Sequence, residues 1–172
     1  MILTGAPGAG KTTALEKLGA LLEVAGIPYG ALESEQLAWG DPWLEGEPWL
    51  AQLRAVFALQ RQAGRRLFLV AATTESDREL AALAEAIGAE ETLAVLISAS
   101  AELAATRVGA REPDDWPGKA ELVAHSRYLA ASMERLGGID VRVSSESADP
   151  TEVAGAILEA MRDRGLIEHG RA

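Results

Sequence analysis

Met1-Ile2-Leu3-Thr4-Gly5-Ala6-Pro7-Gly8-Ala9-Gly10-Lys11-Thr12-Thr13 opens the chain. The apolar start reads as a short strand. Gly5 to Thr12 fits G-x-x-x-x-G-K-[ST], the phosphate-binding P-loop, in the place that motif requires, between a strand and an amphipathic helix. Glycines let the loop turn back on itself and bring backbone N–H groups close to phosphate oxygens. The following helix adds unpaired amides and the positive end of its dipole. Lys11 is placed to reach the β- and γ-phosphates, and the Thr12 hydroxyl to ligate Mg²⁺. Gly5, Ala6, Pro7, Gly8, Ala9, Gly10, Lys11, Thr12 and Thr13 are therefore the expected polyphosphate-binding residues.

The remainder of the chain alternates strand-like and helix-like segments. Apolar residues at helical spacing from Ala14 to Ala25 form a first helix closed by Gly26. Residues 27–32 read as a second strand, with Glu33-Ser34-Glu35 at its carboxyl end, where open α/β sheets bind ligands. Trp39, Trp43 and Trp49 then fall among turn-forming residues. That segment is expected to be a loop leading into a helix that has Pro48 in its first turn and Trp49, Leu53, Val56, Phe57 and Gln60 along one side. Residues 67–72 are continuously apolar, as in a strand buried on both faces. A helix over 77–87 begins at Ser76-Asp77-Arg78-Glu79, which has capping-box spacing.

A fourth strand over 93–97 leads to a short helix through Val108, then to a polar, proline-rich break over 109–118. Leu122, Leu129, Met133 and Leu136 mark the next helix, stopped by Gly137-Gly138. Ile139, Val141 and Val143 alternate as a fifth strand. Asp149-Pro150-Thr151-Glu152 caps a last amphipathic helix, and the tail after Gly165 is expected to fray. Five strands separated by helices imply an α/β three-layer sandwich with a parallel sheet, in one domain spanning 1–172.

Composition narrows the function. The 172 residues are 48% hydrophobic and carry a formal charge of −10, from 16 Lys plus Arg against 26 Asp plus Glu. That balance argues against a nucleic-acid or anionic-membrane partner. There is no cysteine, hence no disulfide, thiol catalysis or thiolate metal site. No apolar run approaches membrane-spanning length, and with a strand starting at Met1 no signal peptide is expected, so a cytoplasmic location is anticipated. His125 stands alone on a helix and His169 in the tail, so neither supports a metal site. Thr73 and Thr74 read as turn or capping groups.

The P-loop residues, Glu33-x-Glu35 after the second strand and the Arg107-to-Arg111 stretch before the break resemble the small-molecule P-loop kinases. These include shikimate, gluconate, adenylylsulfate and nucleoside-monophosphate kinases and the chloramphenicol phosphotransferase type. The resemblance implies a P-loop NTPase fold with strand order 2-3-1-4-5, ATP as donor with Mg²⁺, a lid over 107–118, and an acceptor-binding segment over 36–50. It also implies that Ser144 to Ser147 border the adenine. Motifs of other classes are missing or misplaced. The guanine-reading Asn-Lys-x-Asp motif cannot occur in a chain without asparagine, and Asp115-Trp116-Pro117-Gly118 spells D-x-x-G only between two late helices. Strands three and four end without a Walker-B acid.

The expected activity is transfer of the γ-phosphate of Mg-ATP to a small-molecule acceptor. The alternative is a regulatory or accessory ATPase acting through a protein partner. Glu33 is the expected group to orient or deprotonate the acceptor hydroxyl, with Glu35 as acceptor or Mg²⁺ contact. Arg107 and Arg111, four apart, would share a helix face and grip polyphosphate from the lid side. The tryptophans would either stack on an acceptor or form the small core of its subdomain.

Overall fold

Strands β1 (Ile2–Thr4), β2 (Tyr29–Glu33), β3 (Leu67–Ala72), β4 (Ala94–Ser98) and β5 (Val141–Ser144) form one parallel sheet in the order β2-β3-β1-β4-β5. This is the expected topology, seen in a computed structural model that describes residues 1–168. Register aligns the carboxyl ends of the three central strands, with Thr4 of β1 opposite both Ala72 and Leu96. The P-loop and the segments after β3 and β4 therefore leave the sheet side by side.

Alternation along the strands divides the core in two. Leu3, Leu69, Ala71, Val95 and Ile97 face α1 (Lys11–Val24) and α6 (Pro150–Asp163). Ile2, Phe68, Val70, Ala72 and Leu96 face α2 (Glu47–Gln62), α3 (Asp77–Ile87) and α5 (Lys119–Ser132). A sheet covered on both faces needs strands that are apolar at every position, which explains the unbroken run over 67–72. Helix α4 (Ala101–Arg111) lies against α5 and buries Ala104, Ala105 and Val108.

Several boundaries differ from expectation for local reasons. Strand β2 starts at Tyr29 because the Ile27 amide donates to Leu22 O (2.9 Å), completing the end of α1 around Gly26 (φ 68°). Helix α4 continues to Arg111, with Glu112 N donating to Val108 O. The break therefore occupies 112–118, and the first part of the expected lid segment is helix. Ile139 precedes β5 and packs with the α2/α3/α5 core, whereas Val141 and Val143 face α1 and α6, so the three are not one alternating set.

The chain after Gly165 does not fray at once. Gly165 (φ 70°) lets Leu166 N reach Met161 O (2.9 Å), and Ile167 is buried in the α1/α6 core. This is a helix stop with its accompanying hydrophobic contact. His169 lies outside the described residues.

The cap of α6 forms as its spacing predicts, and that of α3 forms in half. Asp149 and Glu152 make a full reciprocal capping box. Ser76 Oγ accepts from Glu79 N, but the Glu79 carboxylate returns to Glu75 N instead of Ser76 N. At the opposite end of α3, the Arg61 guanidinium on the last turn of α2 donates to Ile87 O and to Gly88 O (2.8 Å). It also sits 5.1 Å from the centroid of the Phe68 ring.

Candidate active site

The P-loop connects β1 to α1 through two glycines that no other residue could replace without displacing backbone. A Cβ on Gly5 would stand 2.4 Å from Ile97 O. On Gly8, at φ 81°, it would stand 2.3 Å from Ala104 O. The loop is thus pressed between β4 and α4. The first turn of α1 carries no side-chain cap, and its first closing bond is Ala14 N to Gly10 O (2.9 Å). The amides of Lys11, Thr12 and Thr13 are consequently the helix's free donors, the arrangement that binds anions.

Lys11 Nζ donates to Gly5 O (2.7 Å) and Ala6 O (3.2 Å). Burial lowers its pKa to about 8; Glu35 opposes this, Arg111 reinforces it, and Glu33 opposes it more weakly. A cavity of about 490 Å³ opens on this loop, lined by Pro7, Gly8, Gly10 to Ala14, Arg107, Arg111, Ser145, Ala148, Pro150 and Val153. Thr12 and Thr13 line it, and both arginines reach it.

The two arginines have different surroundings. Arg107 Nη1 donates to Gly8 O (3.3 Å) and Ser145 Oγ (3.0 Å), and its Nη2 donates to Ser145 O (3.0 Å). Ser145 Oγ in turn donates to Ala9 O (2.8 Å). Arg107 therefore ties α4, the P-loop and the loop after β5 together. Arg111, one turn later, contacts only Glu112 among the described residues (2.8 Å from Nε) and is largely exposed. Arg127 pairs with Glu102 across the surface of α4 and α5.

A second cavity of about 1000 Å³ meets the first at Pro7. Its walls come from the segment after β2 (Glu35, Ala38, Trp43 to Glu47), the start of α2 (Trp49, Leu50), the residues after β3 (Thr73 to Ser76), the start of α3 (Arg78, Glu79, Ala82), and Leu122 and His125 of α5. Glu35 sits on a 3-10 turn (Ser34–Leu37), and its Oε1 accepts from Thr73 N (2.6 Å). Glu33 ends β2 opposite Ala71 and lines neither cavity. Thr74 serves the turn it was read as. Its N and Oγ1 bond Thr4 Oγ1 (3.2 and 2.8 Å), satisfying a buried hydroxyl pair at the ends of β1 and β3.

The tryptophans do not form one core. Trp49 is half-buried, packs against the α2/α3 side, and donates from Nε1 to Ser34 O (2.9 Å). Trp43 lines the second cavity but remains 53% exposed, and Trp39 projects into solvent at 77%.

Three residues at this junction carried little sequence signal. His125 Nε2 lies 3.1 Å from Glu75 Oε1, and both border the second cavity. Ser126 Oγ donates to Pro7 O (2.7 Å), anchoring α5 to the loop. Ser145 belongs to the Arg107 network. Ser126 had a signal in its spacing, as a polar residue midway between Leu122 and Leu129 on the face that α5 buries, and Ser145, which lines the first cavity, lay in the stretch that the resemblance placed beside the adenine. Among the described residues no group of three or more His, Cys, Asp or Glu could hold a metal ion.

No family model matches the chain, and no curated protein matches it. Solved structures do. An unliganded sugar kinase from Janibacter sp. HTCC2649 superposes with a TM-score of 0.66 at 16% identity, over 98% of this chain and 97% of that one. The APS kinase of Mycobacterium tuberculosis, in complex with AMPPNP and APS, gives 0.64 at 17% identity over 94% and 96%. Shikimate kinase from Acinetobacter baumannii, in complex with shikimate, gives 0.58 at 18% identity over 96% and 94%. Coverage near the full length of both partners, with the strand order above, gives this chain the fold of the P-loop small-molecule kinases.

Proposed function

We propose that this protein transfers the γ-phosphate of Mg-ATP to a hydroxyl of a small molecule. The observation that carries the reading is the pair of cavities meeting at Pro7. One is built on the P-loop and the other has a carboxylate at the junction side and room for an acceptor. The kinase neighbours support it at the level of fold.

In this reading the free amides of α1 and Lys11 hold the β- and γ-phosphates, and Arg111, largely exposed and bonded only to its neighbour Glu112 among the described residues, turns toward the transferring group. The Thr12 hydroxyl fits Mg²⁺, a cation that takes one or two protein oxygens and completes its shell with phosphates and water. Bound there, the ion would neutralise charge on the phosphates. Arg107 holds the loop in shape. Glu35, which borders the acceptor cavity, orients the acceptor hydroxyl, and Glu33 contributes to the field at Lys11. The acceptor oxygen forms a bond to the γ-phosphorus as the bond from that phosphorus to the β,γ-bridging oxygen breaks. The hydroxyl proton leaves to the carboxylate or to water, and ADP departs.

The test is ADP release from Mg-ATP across a panel of hydroxylated metabolites, with Lys11→Ala as control. Turnover stimulated by a small molecule and lost in Lys11→Ala is the expected result. Turnover stimulated only by a protein partner would replace the proposal with an accessory ATPase.

A further inference from the structure

The chemistry of the second cavity narrows the acceptor. Its volume, about 1000 Å³, is at the upper end of the roughly 300–1,000 Å³ typical of small-molecule sites, so it suits something of disaccharide or nucleoside size. Its walls combine two indole rings, Trp43 and Trp49, with five carboxyl side chains and one guanidinium, Arg78.

Among the described residues most of those carboxylates have no lysine or arginine partner. Glu47 pairs with Arg54. Glu35 accepts from Thr73 N and Ser34 Oγ, Glu79 from Glu75 N, and Glu75 meets only His125. Glu45 has no hydrogen bond or ion pair among the described residues. A second anion brought into this cavity meets five carboxylates against one guanidinium and is repelled. An ammonium group gains charge-assisted hydrogen bonds, and beside an indole face it gains a cation–π contact. The formal charge of −10 of the whole chain adds a field of the same sign.

Building on the reading of this cavity as the acceptor site, we propose that the acceptor is an organic cation: a polyhydroxylated compound of about disaccharide size carrying at least one ammonium group. The ammonium is bound by the carboxylates of Glu75, Glu79 and Glu45 and by an indole face of the same lining. It takes no part in the transfer, and a hydroxyl directed toward Pro7 receives the phosphoryl group.

Three probes of one scaffold separate the possibilities: a fully deacetylated glucosamine dimer, cellobiose, and cellobionate. Calorimetric titration of each into the nucleotide-free protein reads binding apart from phosphoryl transfer, so a failure here is distinct from a failure of ATP turnover. The expected order is glucosamine dimer tighter than cellobiose by about tenfold or more, with cellobionate weakest. The preference should shrink as salt is raised from 20 to 300 mM. Glu75→Gln with Glu79→Gln should reduce it to under about threefold, with a melting curve to confirm that the double variant folds. Glu45→Gln, which removes a carboxylate from an exposed loop with no structural bond to lose, should reduce it part of the way. Cellobionate binding as well as the dimer, or binding that Arg78→Ala abolishes, would overturn the proposal. So would an ammonium preference untouched by all these variants, or no detectable binding of the dimer at 10 mM.

Discussion

Lys11→Met separates what Lys11 does for phosphates from what it costs the fold. Methionine keeps the apolar stem and removes the charge. In the folded chain burial holds the ammonium near pKa 8, against 10.5 for an ordinary lysine. The unfolded chain therefore binds more protons between those two values, and the wild-type stability rises with pH across that window. Below pH 8 both states are charged at Lys11, and the penalty of burying the ammonium is present in full. At about 1.4 kcal/mol per pH unit, the whole gap is worth at most about 3.5 kcal/mol. Lys11 keeps part of its surface open to the cavity, and solvent screening there lowers the expectation to about 1–2 kcal/mol. Urea unfolding of both proteins at pH 7 and pH 10 reads the effect as a difference of differences, in which other titrations cancel. The wild type should gain on Lys11→Met by about 1–2 kcal/mol over that interval. The same variant should lose the stabilisation that Mg-ATP gives the wild type, because the ligand binds only the folded state. Stability differences constant within about 0.3 kcal/mol across the pH range would show that Lys11 is not buried as charge in this loop.

Arg107→Ala should lower stability by about 2–3 kcal/mol, seen in urea unfolding, since it removes three hydrogen bonds that join separate segments. Arg111→Ala should leave stability within about 0.5 kcal/mol yet reduce kcat and kcat/KM together by ~10³-fold. With an acceptor in hand, Glu35→Gln should cost kcat about 10²-fold or more, whereas Glu33→Gln, which borders neither cavity, should stay within about threefold; the reverse order would return the acceptor role to the strand-end carboxylate. Gly8→Ala, forced into a positive φ and against Ala104 O, should destabilise by about 2 kcal/mol or more in the same unfolding assay.

The strands and helices were legible because each announces itself locally, by an unbroken apolar run, a 3.6-residue spacing, or a cap, whereas the strand order followed from the resemblance to the P-loop kinases. The P-loop was legible because its chemistry sits within eight consecutive positions. The acceptor side was not. His125 and Glu75 are brought together across fifty positions by the packing of α5 on one face of the sheet, and no spacing rule connects them. Arg107 and Arg111 do share one helix, as their separation predicts, yet they act differently because Ser145 comes from a distant loop to occupy one of them. Glu33 and Glu35 look equivalent on an extended strand, where residues two apart share a face. The 3-10 turn that starts at Ser34 breaks that equivalence and carries only Glu35 to Thr73. Ile27 failed as a strand residue because its amide was already needed to finish α1.

Arg61 gives the acceptor side a mechanical character. Helices α2 and α3 both start at the rim of the larger cavity, through Glu47 to Leu50 and Arg78 to Ala82, and both end where Arg61 pins the last turn of one to the final carbonyls of the other. The pair resembles tongs riveted at the far end. If the larger cavity takes the proposed acceptor, Arg61→Ala, which loosens this rivet, should broaden the range of acceptor sizes taken while leaving nucleotide affinity where it was, read as acceptor KM values against the Kd for ATP.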